Sequence, residues 1–339
     1  MTIDAHNLDI YRQRANSLLA GTALVIIEEA INRGIRVELP FDNFKLMWIY
    51  INPDSSPVEI RRTLTHSTSP ISMAITIDKS LSYQVANSVG MRLLPWIQTY
   101  SDQEALSFYK NNNGNSIIKP AKGQAGRGIV TSFHDERDFL SKFQALRSTD
   151  SVVIQAKSTG RKDVRLLFIG NKFSAATETR CSEVIGDGHS SFAELIETEN
   201  SSRRETNNSR MATMLLKEID IKEACTVSGI QSGVVLREGQ SAVASLSNVT
   251  KGGIAADVSE IIHQSFIDEA SKLVNRLNLP VVAVDFICDE IEQGRSIGAS
   301  NAYFLEANSS PGIDLHMFPH EGKGVNVAGM FIDYLASSL

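Results

Sequence analysis

Ile117-Ile118-Lys119-Pro120-Ala121-Lys122-Gly123-Gln124-Ala125-Gly126-Arg127-Gly128-Ile129-Val130 reads as strand, glycine loop, strand. Glycine lets backbone N–H groups approach phosphate oxygens closely, and Lys119, Lys122 and Arg127 add positive charge around Gly123, Gly126 and Gly128. No Gly-Lys-Ser/Thr ending follows and no helix begins here, which excludes a Walker A loop. A strand rather than a helix comes next, which excludes the dinucleotide fingerprint. From this stretch alone a tight hairpin with solvated charges is an equally open reading.

The second informative set lies far downstream, in Val284-Asp285-Phe286 and Phe304-Leu305-Glu306-Ala307-Asn308. Alternate residues of a strand share a face, so Glu306 and Asn308 point the same way. If the two strands are neighbours, Asp285 joins them, giving two carboxylates and an amide oxygen in one space. Mg²⁺ takes such hard oxygen donors and completes its shell with phosphates. The alternative is a pair of strand-end acids, each satisfied by a lysine. The small residues Ser309-Ser310-Pro311-Gly312 follow and leave room for a substrate. His316 and His320 receive no catalytic role, because a lone histidine more often caps or packs. A polar loop, Ser247-Asn248-Val249-Thr250-Lys251-Gly252-Gly253, is suited to cradling an anion, or is an ordinary connection.

Around these segments the pattern alternates helix and strand. Apolar positions at 3.6-residue spacing predict helices over 17–33, 78–89, 136–146 and 260–278. Strands are predicted over 35–39, 44–51, 116–119, 129–133, 152–155, 281–287 and 303–307. A hairpin is expected over 164–179, turning at Gly170-Asn171. Residues 198–210 (TENSSRRETNNSR) are nearly devoid of apolar side chains and read as a mobile loop.

The chain of 339 residues is 42% hydrophobic and 21% charged, ordinary for a globular protein with a sizeable core. A net charge of -6 speaks against nucleic acid as the main partner. Three dispersed cysteines without a CxxC pair fit a reducing cytoplasm. The N-terminus lacks the basic start and apolar core of a signal peptide, and no apolar run approaches the ~20 residues of a membrane span.

Taken together, these pieces resemble the ATP-grasp superfamily, most of all the ATP-grasp portions of cyanophycin synthetase and of the bifunctional glutathione-synthesising enzyme. The resemblance runs from about Ala20 to Tyr334. It rests on ALVIIEEAINRGIRVEL, Asp78-Lys79, KPAKGQAGRGIV, GRKDVRLLFIGNKFSAATE, VIGDGHSSFAELIE with NSSRRE, SNVTKGG and EANSSPGIDLHMFPHEGKG, in that order. It implies an α+β fold: a small N-terminal α/β domain (1–76), a lid subdomain (77–155) and a core (156–339) with an insertion near 181–212. It further implies ATP and two Mg²⁺, with Mn²⁺ able to substitute. Lys79 and Lys119 would hold phosphates, Gln155 would mark the adenine hinge, and Asp285, Glu306 and Asn308 would hold metal. Arg165, Asn248 and Lys251 would serve the reaction.

The implied activity is carboxylate–amine ligation through an acyl-phosphate, on a small-molecule acid and an amine, with a homodimer as the oligomeric expectation. Three positions depart from the family pattern. Gln155 stands where glutamate is usual, the 160–163 stretch is one residue longer, and no arginine lies in 242–247; Arg165, Arg180 or Lys251 would have to replace it. That absence keeps open a nucleotide-binding module without chemistry. A phosphotransferase that stops at a phosphorylated small molecule is a third alternative.

Overall fold

Val281–Cys288 is eight residues long, and all but Ile287 are buried. Such a run, apolar on both faces, can only be a strand covered on both sides. In the computed structural model, which describes residues 2–3, 7–11, 21–41, 44–123, 128–160, 162–209 and 217–338, it lies within a five-stranded sheet. The order is 254–257, 172–180, 162–169, 281–288, 303–308, and every neighbouring pair is antiparallel. The hairpin turns at Gly170 (φ 55°) and Asn171 (φ 61°), the two left-handed positions that match strand twist.

Alternation along these strands separates two cores. Val282, Val284, Phe286, Val164, Leu166 and Phe168 pack with Tyr83 and with the helix Gln264–Leu277, which buries Phe266, Ala270, Leu273, Val274 and Leu277. The opposite face, through Val281, Ala283, Leu167 and Ile169, packs with the helices Gly21–Asn32 and Val327–Ser337. A four-stranded N-terminal sheet (2–3, 36–38, 47–50, 58–60) joins that second core through Val37, Met47, Ile49 and Ile60. A three-stranded sheet, 96–98, 152–156 and 116–120, has its own core with Phe139 and Phe143. A small unit built on the pair 183–185 and 241–243 closes around Phe192, Ile196, Ala224 and Leu236. Among the described residues no helix is long and apolar enough to cross a membrane.

Two expectations are corrected. Residues 129–133 do not form a strand; only Val130 bridges to Ile118. Two pairs that would extend the ladder fail. Pro120 has no N–H to give, and the Ser116 N–H is donated to the Gly114 carbonyl instead (3.0 Å). Residues 198–209 are not a mobile loop but the end of the helix Phe192–Ser209. That helix begins at a reciprocal cap: the Ser191 N–H donates to Glu194 Oε2 (2.7 Å) and the Glu194 N–H to Ser191 Oγ (3.4 Å).

Its first turns bury Phe192 and Ile196, whereas the side chains buried further along, Asn200 and Arg203, are polar and satisfied. Asn200 Nδ2 donates to the Ile219 carbonyl (3.0 Å) while its Oδ1 accepts the Ile219 N–H (2.7 Å). Arg203, with its side chain 2% exposed, donates to Gly252 O (2.8 Å), Lys217 O (2.7 Å) and Ser182 Oγ (2.7 Å), and pairs with Glu199. Hydropathy cannot register this later part of the helix, because its core contacts are hydrogen bonds.

Asn200→Ala leaves the Ile219 backbone groups buried and unpaired, which costs about 1–3 kcal/mol. Amides of 183–245 are expected to exchange faster with deuterium in this variant, while those of 281–288 keep their wild-type protection.

Candidate active site

Where the apolar run of the sheet ends, charge begins on one face. Asp285 lies opposite Arg165 on one side and Glu306 on the other, and Asn308 lies opposite Ala283. All four therefore share the face that packs against the N-terminal unit. Arg165 grips Asp285 with two charge-assisted bonds, Nε to Oδ1 at 2.8 Å and Nη2 to Oδ2 at 2.6 Å. Asn308 Nδ2 donates to Asp285 Oδ2 (3.3 Å) and Glu306 Oε1 (3.2 Å). Burial raises the Asp285 pKa, and the Arg165 cation opposes that rise. Burial works against the Arg165 cation too, yet Asp285 and Glu306 carry it above its ordinary value.

The neighbourhood carries the mark of this charge. Burial, with Arg165 adding to it, pushes His316 down to about 3, so it is neutral, with Nδ1 2.7 Å from Thr177 Oγ1. Burial also pushes Asp163 up to about 6, helped by Asp285 and Glu306 against a hydrogen bond from Ser247 (2.8 Å).

The cations stand beside the acids. Lys119 is buried, with Nζ donating to Tyr83 Oη (2.5 Å) and Gln155 Oε1 (2.8 Å). Burial and then Lys79 lower it to about 7, and Glu306 pulls the other way. Lys79 Nζ donates to the Gly123 carbonyl (2.9 Å), at the mouth of the glycine loop. Asp78 caps its helix through Ser80 and Leu81 and bridges in the backbone to Lys122. Gly128 has φ 74° and sits against the Pro120 ring, 3.3 Å from where a Cβ would lie. Gly126 and Arg127 lie outside the described residues. Gln155 turns its Oε1 to Lys119 and leaves Nε2 buried without a partner.

The 247–253 loop is anchored at both ends. Ser247 reaches Asp163, the Asn248 carbonyl accepts from Lys251 and Gly253, and Arg203 and Ser182 (2.6 Å) both hold the Gly252 carbonyl. A Cβ on Gly253 would stand 2.4 Å from Ser247 O, so only glycine fits there. Lys251 Nζ lies 3.2 Å from Glu223, half exposed, and no contact joins it to Arg165. Arg180 is spent on Glu321 and Glu178.

Asp285, Glu306, Asn308, Arg165, Lys119 and Lys79 are thus one constellation, and Lys251 and Asn248 belong to its adjoining loop. Asp163 and Tyr83 were missed in the sequence. Asp163 shares a strand face with Arg165 two residues on, and Tyr83 shares a helix face with Lys79 four residues back. Those offsets were the available signal.

Among the described residues no group of three or more His, Cys, Asp or Glu side chains could hold a metal ion. The donor set here is two carboxylates with one amide. Two carboxylates against one guanidinium leave a net negative charge in a desolvated place, which suits a hard divalent cation. A half-turn of the Asn308 amide would present Oδ1 to it.

Antiparallel core sheet, smaller sheet and N-terminal unit, with Lys119 of one sheet brought to acids of the other, make up the ATP-grasp fold. A solved bifunctional glutathione synthetase from Pasteurella multocida superposes with a TM-score of 0.64 at 21% identity, over 94% of this chain and 43% of that one. In sequence the chain is 26% identical over 333 residues to cyanophycin synthetase of Geminocystis herdmanii, covering 96% of this chain and 37% of the relative. It is 25% identical over 322 residues to the glutathione biosynthesis bifunctional protein GshAB of Mannheimia succiniciproducens, covering 91% and 42%. It therefore spans about two-fifths of the length of these relatives. No protein-family model matches the chain.

The state of Lys119 is testable without a substrate. Its pKa is lowered from 10.5 to about 7, so between those values the unfolded chain holds a proton that the folded chain lacks. Stability must then rise with pH through that window. Urea midpoints measured from about pH 7 to about pH 8.5 are expected to climb in the wild type and to flatten in Lys119→Met. Equal slopes in both proteins would show that Lys119 stays charged in the folded state.

Proposed function

We propose that the chain is an ATP-dependent carboxylate–amine ligase working through an acyl-phosphate. The observation that carries this reading is the convergence of Asp285, Glu306 and Asn308 beside the buried Lys119. The names of the relatives, a cyanophycin synthetase and a glutathione biosynthesis protein, support the same class of reaction.

The chemistry follows from what the residues can do. A carboxylate is a poor electrophile. Its oxygen attacks the γ-phosphorus of ATP, the bond to ADP breaks, and an acyl-phosphate forms. An amine nitrogen then attacks the acyl carbon, phosphate leaves with the bonding pair, and the nitrogen loses a proton. Lys119 and Lys79 face phosphate oxygens from the glycine-loop side. Arg165, held flat by Asp285, supports the charge of the transferring group. Asp285, Glu306 and Asn308 would hold Mg²⁺, two ions with Mn²⁺ able to replace them, which neutralises charge developing between the phosphates. The loop 247–253, with Asn248 and Lys251, closes over the acyl end and keeps water from the intermediate. Lys122, Gly123, Gly126, Arg127 and Gly128 cover the phosphates, and the backbone near Gln155 frames the adenine.

The substrates we assign are an amino-acid or short-peptide carboxylate and an amino-acid amine, handled by a cytoplasmic homodimer without nucleic-acid or membrane partners. The experiment is an ADP-release screen over pairs of amino acids and dipeptides with Mg-ATP, with the amide product identified by mass spectrometry. Glu306→Ala is expected to lower kcat/KM by roughly 100-fold or more, the scale of one lost electrostatic stabiliser. Ligation at the wild-type rate in that variant would remove the basis of the proposal.

A further inference from the structure

Arg62, from the N-terminal unit, comes near Gly312, Asp314 and Arg165 for no reason that the motifs supply. It follows the strand Val58–Ile60, inside the turn closed by the bridge between Arg61 and Leu64. Its φ is 56°, left-handed backbone that a residue with a Cβ adopts only under constraint, and such positions gather at functional sites.

That turn brings the side chain towards Gly312. Arg62 Nη2 lies 3.9 Å from where a Cβ on Gly312 would stand. Gly312 ends the small-residue segment Ser309-Ser310-Pro311-Gly312 that follows the strand bearing Glu306 and Asn308.

The electrostatics there are unbalanced. Arg62 is exposed to solvent, yet the protein beside it lowers its pKa by partial desolvation. Asp314 attracts it, but Arg165 and Arg61 repel it. Asp314 accepts a hydrogen bond from Thr22 Oγ1 (2.9 Å) and forms no ion pair with Arg62. Arg165 has Asp285 in its fork. Arg62, by contrast, makes no side-chain hydrogen bond or ion pair with any described residue. A planar fork of donors, unfilled, next to a second cation and open to solvent, matches a carboxylate.

We propose that Arg62 is a specificity residue that binds a second, non-reacting carboxylate of the substrate, and so selects amino-acid-type or peptide-type substrates over those lacking a free carboxylate. This rests on the ligase reading for the word substrate, but not for the existence of the anion site.

The test is chosen to separate the two. The full chain, without nucleotide, is treated with phenylglyoxal, and labelling of each arginine is followed by peptide mass spectrometry. A mixture of L-amino acids and dipeptides is expected to slow labelling of Arg62 roughly fivefold at a few times the dissociation constant. The corresponding C-terminal amides should not, and exposed Arg61 should label at one rate throughout. Equal protection by the amides or by inorganic phosphate, or none by any arm, would overturn the proposal.

For any acid–amine pair found by ADP release, Arg62→Gln is expected to raise KM by roughly tenfold or more with kcat nearly unchanged. Arg62→Lys should recover part of the loss. Should the ADP screen find no pair at all, the ligase reading fails while the labelling result still decides the anion site.

Discussion

The two-pronged bond from Arg165 to Asp285 is the constraint around which the cleft is arranged. It joins adjacent strands of the core sheet at the point where apolar packing stops. Without it, the buried carboxylate of Asp285 and the half-buried one of Glu306 would face each other with only an amide between them. Burying such a pair uncompensated is among the most costly things a fold can do. With it, one negative charge remains to be matched. Glu306 supplies that charge to Lys119 on the neighbouring sheet and faces Tyr83 on the helix Lys79–Ser88. The pair therefore sets both the geometry of the acids and the sign of the field that the cations meet.

Other units of the fold place polar residues around this core-sheet pair. The N-terminal unit packs on the sheet face that carries the acids, and it ends at Arg62. The three-stranded sheet contributes Lys119 and Gln155, and the small 183–243 unit contributes Arg203, which grips the Gly252 carbonyl. Each unit reaches the cleft by a polar tip on an apolar body. The body fixes position through area buried, and the tip adds a directed contact whose worth depends on being kept from water.

Much of this was legible from the sequence. The helix 264–277 was readable because its apolar side chains repeat at the helical period, and the strand 281–288 because its run is apolar almost throughout. The meeting of Asp285 with Glu306 was expected only on condition that two apolar strands, each broken by one acid, were neighbours, as they are. What was not legible depended on contacts without a hydropathic trace. The helix 192–209 is held by Asn200 and Arg203, polar residues that pattern reading assigns to solvent. Residues 129–133 alternate well enough for a strand, but the ladder fails where Pro120 and Ser116 cannot donate. Arg62 is the extreme case, since a positive φ in an arginine leaves no sign in the sequence.

The irregularities also converge. Lys119 is lowered to about 7, Asp163 is raised, His316 is lowered, and among the described residues Gln155 Nε2 and His316 Nε2 are buried without partners. Each is a local loss of stability, and each borders the cleft rather than the two large cores, which are filled by ordinary aliphatic and aromatic side chains. A sequence under no demand beyond folding would replace a buried lysine with leucine or methionine and gain by it. Violations of local rules that cluster where opposite charges face each other are what a fold retains when a charged ligand supplies the missing half of the interaction. Lys119 and Arg62 are then two sides of one arrangement. The first is desolvated in advance for phosphate, and the second is left unpaired for the carboxylate at the far end of the same cleft.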